Sequence, residues 1–272
     1  MVTNRAAEDT LDVEDAERIR LLEQCELHRM DAELLFDRIG LEHGWAALDL
    51  GCGPLGVLDI LAERVGSSGA VVGLDRDSRM LEAAAASLPA RGLPGVALLR
   101  GEATATGLPG HSFDLVHERL LLSDIRRAAD AVAEMIRLAR PGGYVALQDK
   151  DVISWTCEPS HPAWDRLKAA VVAVADGDPY IGRRLPGLLR DAGLVDVEVD
   201  VHAHLWRPTE SYRTVLLRLA AMNRDRILAA GALTGSELDE CLRDLEAHLA
   251  SPDTIVLCWT LFQAWGRRPL SA

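Results

Sequence analysis

Hydrophobic positions along this chain fall into two rhythms. Between residues 16 and 39 the apolar residues Ile19, Leu22, Leu27, Met30, Leu34, Leu35 and Ile39 recur at helical spacing and stop at Gly40, which predicts one or two helices. Short continuous apolar runs follow at 45–50, 70–74, 96–99, 113–116 and 144–147, each of strand length. Between them lie helical stretches at 57–65, 78–88 and 126–140, the last closed by Pro141-Gly142-Gly143. Strands and helices alternating in this way build βαβ units. The prediction is therefore an α/β fold, a Rossmann-like and mostly parallel sheet with helices on both faces.

The second half breaks the rhythm. Segments 164–175 and 182–192 read as helices, 195–204 alternates as a strand, 210–230 and 236–250 read as helices, and 254–265 reads as a last strand. A sheet of seven strands with an inserted lid accounts for this pattern. Three regions are expected: a helical cover at 1–40 whose acidic first 15 residues fray, a ligand-binding core at 41–151, and the rest of the sheet at 152–272. The helical cap in that last region is built from 152–190 and 208–252.

Composition narrows the function. Of 272 residues, 49% are apolar and 26% charged, enough for a sizeable core, and the net charge of −13 repels nucleic-acid phosphates and anionic lipid. Basic residues cluster only as pairs, Arg126-Arg127, Arg183-Arg184 and Arg267-Arg268. No nucleic-acid or membrane partner is expected. The five cysteines are dispersed and never in C-x-x-C, the amino terminus is unlike a signal peptide, and no apolar run reaches the roughly 18 residues of a membrane span. A cytoplasmic protein, monomer or homodimer, is the expectation.

The most informative segment is Asp49-Leu50-Gly51-Cys52-Gly53-Pro54-Leu55-Gly56, where a strand ends in a glycine turn that opens a helix. Such a turn lets backbone approach a ligand closely and aims helix N–H groups at it. Gly51, Gly53 and Gly56 also fit G-x-G-x-x-G, with Asp75 at the distance of a ribose-binding acid, so a nicotinamide-dependent oxidoreductase is one reading. Asp49 favours another. A carboxylate at a buried strand end needs a positive partner or N–H donors, and a diphosphate beside it would be repelled.

Taken in order, ALDLGCGPLG, VVGLDRDSRML, RGEATATGLP, FDLVHERLLL and ARPGGYVALQD resemble the successive motifs of class I S-adenosylmethionine-dependent methyltransferases. They are most similar to the small-molecule branch that includes the quinone methyltransferases, over about residues 18 to 201. The resemblance implies S-adenosyl-L-methionine as cofactor, S-adenosyl-L-homocysteine as product and a small-molecule methyl acceptor. It implies that Asp49, Gly51, Cys52 and Gly53 meet the amino-acid end of the cofactor, that Asp75 takes the ribose hydroxyls, and that Arg76 and Met80 flank the adenine. Glu102 and Ala103 would face the adenine amine, His117 and Arg119 the sulfonium side, and Gln24 the methionyl carboxylate. Where the family has a third glycine this chain has Leu55, which would crowd the methionyl tail or turn away from it.

Methyl transfer from a sulfonium needs in-line positioning above all, and a base only for some acceptors. Asp149, after the fifth strand, is the leading polar contact to the acceptor, with His117 and His161 as further candidates. Trp155, Trp164 and Trp206 flank the lid and suit a flat, apolar acceptor, O-, N- or C-methylated in secondary metabolism. A cyclase or rearrangement enzyme holding the same cofactor is the alternative. His202 and His204 share one strand face but lack a third ligand at useful spacing, so no metal site is expected. Nothing in the sequence activates Cys52 as a nucleophile.

Overall fold

The computed structural model describes residues 13–93 and 95–270. The frayed leader expected at 1–15 lies outside the described residues up to residue 12, and from Val13 the chain is helical. The cover is two helices, α1 (Val13–Leu27) and α2 (Arg29–Ile39), the second ended by Gly40 in the left-handed region at φ 71°. The core runs β1 (Ala46–Leu50), α3 (Leu58–Val65), β2 (Ala70–Asp75), α4 (Ser78–Ala90), β3 (Ala97–Arg100), β4 (Phe113–Arg119), α5 (Ala128–Leu138) and β5 (Ala139–Asp151). Next come β6 (Thr156–Glu158), α6 (Pro162–Ala173), α7 (Leu185–Asp191) and β7 (Val195–Trp206). The chain ends on α8 (Val215–Met222), α9 (Arg224–Ala229), α10 (Gly235–Leu249) and β8 (Ile255–Arg267).

The sheet order is β3-β2-β1-β4-β5-β8, with β7 on the far edge of β8. Strands β1 to β5 are parallel, and β8 runs antiparallel to β5 and β7. The three-residue β6 pairs with the start of β8, making eight strands among the described residues where the pattern predicted seven. A run that short carries no period to read. The chain steps outward from β1 to β2 and β3, then returns to β4 on the other side of β1. That reversal opens a crevice at the carboxyl ends of the strands.

Alternate residues of β1 and β4 feed two cores. Ala47 and Leu115 pack with α2, α3 and α4, whereas Leu48, Leu50 and Val116 pack with α5 and α7. A third core, built around Trp155, Trp164, Trp206, Leu216, Leu245 and Trp259, belongs to the cap. Because Leu185 and Leu189 of α7 pack with α5 against the sheet, α7 belongs to the sheet layers rather than to the cap. The helix expected at 210–230 is broken at Asn223 into α8 and α9.

Candidate active site

The β1–α3 turn is shaped by three glycines, Gly51, Gly53 and Gly56, with φ of 75°, 54° and 55°. A side chain at Gly53 would meet nothing within 4 Å, so this backbone is bare toward the crevice. A Cβ at Gly56 would stand 2.2 Å from Asp49 Oδ2, so glycine is required there by the carboxylate beneath the turn. Leu55 turns away from the crevice into the core with α2 and α3 and leaves the turn uncrowded.

Above the turn lies a cavity of about 470 Å³. Gly51, Gly53, Asp75, Arg76, Met80, Glu102, Ala103 and Arg119 line it, and Gln24 of α1 lines it from the cover, as expected from the sequence. Asp75 ends β2 with Oδ2 accepting the Gly53 N–H at 2.8 Å and Oδ1 accepting the Asp77 N–H at 2.9 Å, and each oxygen keeps a further acceptor position. Arg119 is held by the carbonyls of His28 and Gly56, at 3.2 and 2.9 Å, which fixes a cation beside the glycine turn.

Three residues expected at the cofactor sit elsewhere. Asp49 and His117 are paired across β1 and β4 and point beneath the turn toward α2, both essentially inaccessible. Asp49 Oδ1 is 2.8 Å from His117 Nδ1, Oδ2 accepts the Val57 N–H at 3.1 Å, and His117 Nε2 is 2.8 Å from Gln148 Oε1. This buried chain braces the turn without reaching the cavity. Cys52 packs against Gly73, and burial, together with Asp49 and Asp75, pushes its thiol far up, the opposite of activation.

A second cavity of about 400 Å³ lies between the sheet and the cap. Trp155, Val172, Leu219, Met222 and Trp259 give it apolar walls, while Ser123, Asp124 and Lys150 give it a polar end. Glu17, Arg20, Arg76 and Asp124 line both cavities, so the two adjoin. Lys150 Nζ meets Asp124 Oδ1 at 3.0 Å at that junction, and Arg20 joins α1 to the cap through Tyr212 Oη at 3.2 Å. Of the three expected tryptophans only Trp155 reaches the cavity. Trp164 and Trp206 stand behind it, edge-on to Trp155 and Trp259 with ring centroids 5.6 Å apart in each pair.

The three expected catalytic residues line neither cavity. Asp149 is fully buried, its oxygens accepting the N–H groups of Ser123 and Lys150 at 2.8 and 2.7 Å, and burial pushes its carboxyl up to about 6. Its neighbour Glu118 is equally buried and accepts the Leu121 N–H at 3.1 Å; burial and the charge of Asp149 hold it well above the usual carboxylate range. Together they anchor Leu121, which lines the first cavity, and Ser123, which lines the second. His161 caps α6, its Nδ1 accepting the Ala163 N–H at 3.2 Å, and stacks on His248. Sequence reasoning missed Glu17, Arg20, Asp124, Lys150 and Trp259. The first two carried no mark beyond their polarity on a predicted helix, and Trp259 read as one more core position in a strand.

A family profile described as a methyltransferase domain matches residues 48–147. The chain is 35% identical over 196 residues to trans-aconitate 2-methyltransferase of Methylobacterium radiotolerans, covering 68% of each chain. It is 31% identical over 249 residues to nocamycin O-methyltransferase of Saccharothrix syringae, covering 83% of this chain and 86% of that one. The chain belongs to the class I S-adenosylmethionine-dependent methyltransferases. Its cofactor is therefore S-adenosylmethionine, and the nicotinamide reading of the glycine turn is set aside. This methyltransferase is also 31% identical to an uncharacterized 37.1 kDa protein in transposon TN4556 of Streptomyces fradiae, of whose length it spans 57%. In fold it is similar to a Bacillus halodurans C-125 protein described as a candidate methyltransferase, with a TM-score of 0.62 at 17% identity and coverage of 88% and 99% of the two chains. The [4+2]-cyclase SpnF shares the fold with a TM-score of 0.54 at 18% identity, covering 88% of this chain and 80% of that one.

The first cavity fits the cofactor. It offers carboxylates for a ribose diol and an adenine amine, a fixed cation for a carboxylate, and bare backbone where Gly53 opens.

Proposed function

We propose that this methyltransferase methylates a small, flat, largely apolar organic acceptor seated in the cap-side cavity. The observation that carries the reading is the junction of the two cavities at Glu17, Arg20, Arg76 and Asp124, with Trp155 and Trp259 walling the second. When bound, S-adenosylmethionine supplies a sulfonium methyl for in-line displacement and leaves as S-adenosylhomocysteine. Asp75 holds the ribose hydroxyls, Arg76 and Met80 flank the adenine with Glu102 and Ala103 at its amine, and Arg119 with Gln24 takes the methionyl carboxylate. Asp49 and His117 hold the glycine turn from beneath. Asp149 acts through the Ser123 and Lys150 backbone, fixing the loop between the cavities, while Lys150 and Asp124 orient the polar end of the acceptor. His161 serves α6 as its cap.

A role in secondary metabolism is our reading of the Ala-, Arg- and Leu-rich composition, supported by the nocamycin relative. A cytoplasmic monomer or homodimer without nucleic-acid or membrane partner fits the acidic surface, and no described helix is long and apolar enough to cross a membrane. The test is incubation with S-adenosylmethionine and a panel of hydroxylated aromatics, amines and carbon acids, read by mass spectrometry. A product heavier by one methyl, with equivalent S-adenosylhomocysteine, supports the proposal. A product isomeric with its substrate, formed without S-adenosylhomocysteine, replaces it with the cyclase reading.

A further inference from the structure

A second cluster of chemistry-bearing side chains lies where α2 meets β7, and none of its members lines either cavity. His28 at the α1–α2 junction and Asp31 three residues on are both buried, and His202 and His204 reach them from β7. Asp31 Oδ2 is 2.9 Å from His28 Nδ1 and 2.8 Å from His204 Nε2, and Asp31 Oδ1 is 3.4 Å from His202 Nδ1. One ligand atom each from His28, Asp31 and His204 lies within 4.8 Å of the other two. The sequence alone shows only the His202/His204 pair. The fold supplies the missing ligands, Asp31 from 173 positions away.

The donors are rigidly held, His28 and Asp31 one helical turn apart and His202 and His204 two apart on a strand. His28 occupies the helix N-cap position, yet its ring makes no cap bond and turns to the cluster. The Asp31 carboxylate faces three imidazoles, and the Asp200 carboxylate stands 3.7 Å from His202 Nε2 on the far side of that ring. The His204 and His202 side chains are 29% and 20% exposed, which leaves a path for an ion. A tetrahedral ion with bonds of about 2.0–2.1 Å sets its ligand atoms about 3.3 Å apart, so to admit one the Asp31 contacts widen by about half an ångström and the His28 and His204 nitrogens, within 4.8 Å of one another, settle at the same spacing.

We propose that His28, Asp31 and His204, with His202 completing the set, bind a divalent transition-metal ion, Zn²⁺ first among them. Imidazole and carboxylate donors suit that ion. Each imidazole would bind through the nitrogen that now faces Asp31 and carry its proton on the other. The ion would pin the cover to the sheet next to the cofactor cavity, since Arg119 donates to the His28 carbonyl and Gln263 donates to that of Asp31 at 2.7 Å.

The test uses the full chain without a histidine tag, stripped with chelator and titrated with Co²⁺ and then Zn²⁺. One equivalent of Co²⁺ should give the visible absorption of a four-coordinate site and be displaced by Zn²⁺. X-ray absorption of the Zn²⁺ form should show nitrogen and oxygen neighbours with histidine scattering. Asp31→Asn and His204→Gln should each weaken binding by more than the roughly 100-fold that loss of a mere supporting group costs, whereas His248→Ala should not. His204→Gln, at a partly exposed position, is the substitution that keeps the fold if Asp31→Asn does not. Absence of stoichiometric uptake by the folded wild-type chain, sulfur ligation, or binding that survives His204→Gln would overturn the proposal.

Discussion

Asp49, next to last in β1, and Asp75, last in the adjacent β2, look alike in sequence, yet the fold gives them different work. Asp75 stands at the cavity wall with acceptor positions to spare, so Asp75→Ala should weaken S-adenosylhomocysteine binding by about 10- to 100-fold, the equivalent of a charge-assisted hydrogen bond of ~1.5–3 kcal/mol. Calorimetric titration of the variant measures it, and unchanged affinity would remove Asp75 from the site. Asp49 is sealed under the turn, so Asp49→Ala should lower unfolding free energy by about 1–3 kcal/mol for each donor it orphans, the Val57 N–H and the His117 ring. Urea denaturation checks this; a variant as stable as wild type but weak for cofactor would put Asp49 back at the ligand. Asp75 was legible because it closes a strand before a helix cap. The direction of Asp49 was not, because β1 is buried on both faces and its pattern does not tell which one the ligand avoids.

At the scale of elements, the ends of β4 and β5 bring Glu118 and Asp149 together in the interior. Both carboxyls are raised, so the folded state keeps protons that the unfolded chain gives up from about pH 4 upward. Their contribution to stability is intact below that pH and is lost as pH rises through the folded values, about 6 for Asp149 and well above the usual carboxylate range for Glu118. Glu118→Gln should therefore raise the melting temperature at about pH 8 and lose that advantage near pH 4; the opposite trend in thermal scans would contradict a protonated Glu118. Gly56→Ala should destabilise the turn by more than about 1 kcal/mol, because it adds positive-φ strain to a collision with Asp49 Oδ2. The βαβ rhythm that placed β1 to β5 was plain in the hydrophobic pattern. What escaped it were the three-residue β6, the one-residue break at Asn223, and the packing of α7 on the sheet, which depends on tertiary partners rather than period.

Across the whole molecule, α1 is the shared lid. Glu17 and Arg20 touch both cavities, and Arg20 ties the cover to Tyr212 of the cap. Filling the acceptor cavity should separate the two functions. Val172→Trp should raise the acceptor KM by about tenfold, ~1.4 kcal/mol, and leave S-adenosylhomocysteine affinity unchanged; steady-state kinetics beside calorimetry would reveal a loss of both, which would merge the two sites. Ordered motifs made the cofactor legible, whereas the cap-side cavity proposed for the acceptor is lined from α1, α6, α8, β5 and β8, whose side chains meet only in three dimensions. If the crevice over Gly51 and Gly53 binds the cofactor, titration of the intact chain with S-adenosylhomocysteine will show it. Binding should saturate at one site per chain and be sharply weakened by Asp75→Ala; absence of binding by the folded chain would rule the crevice out as the cofactor site.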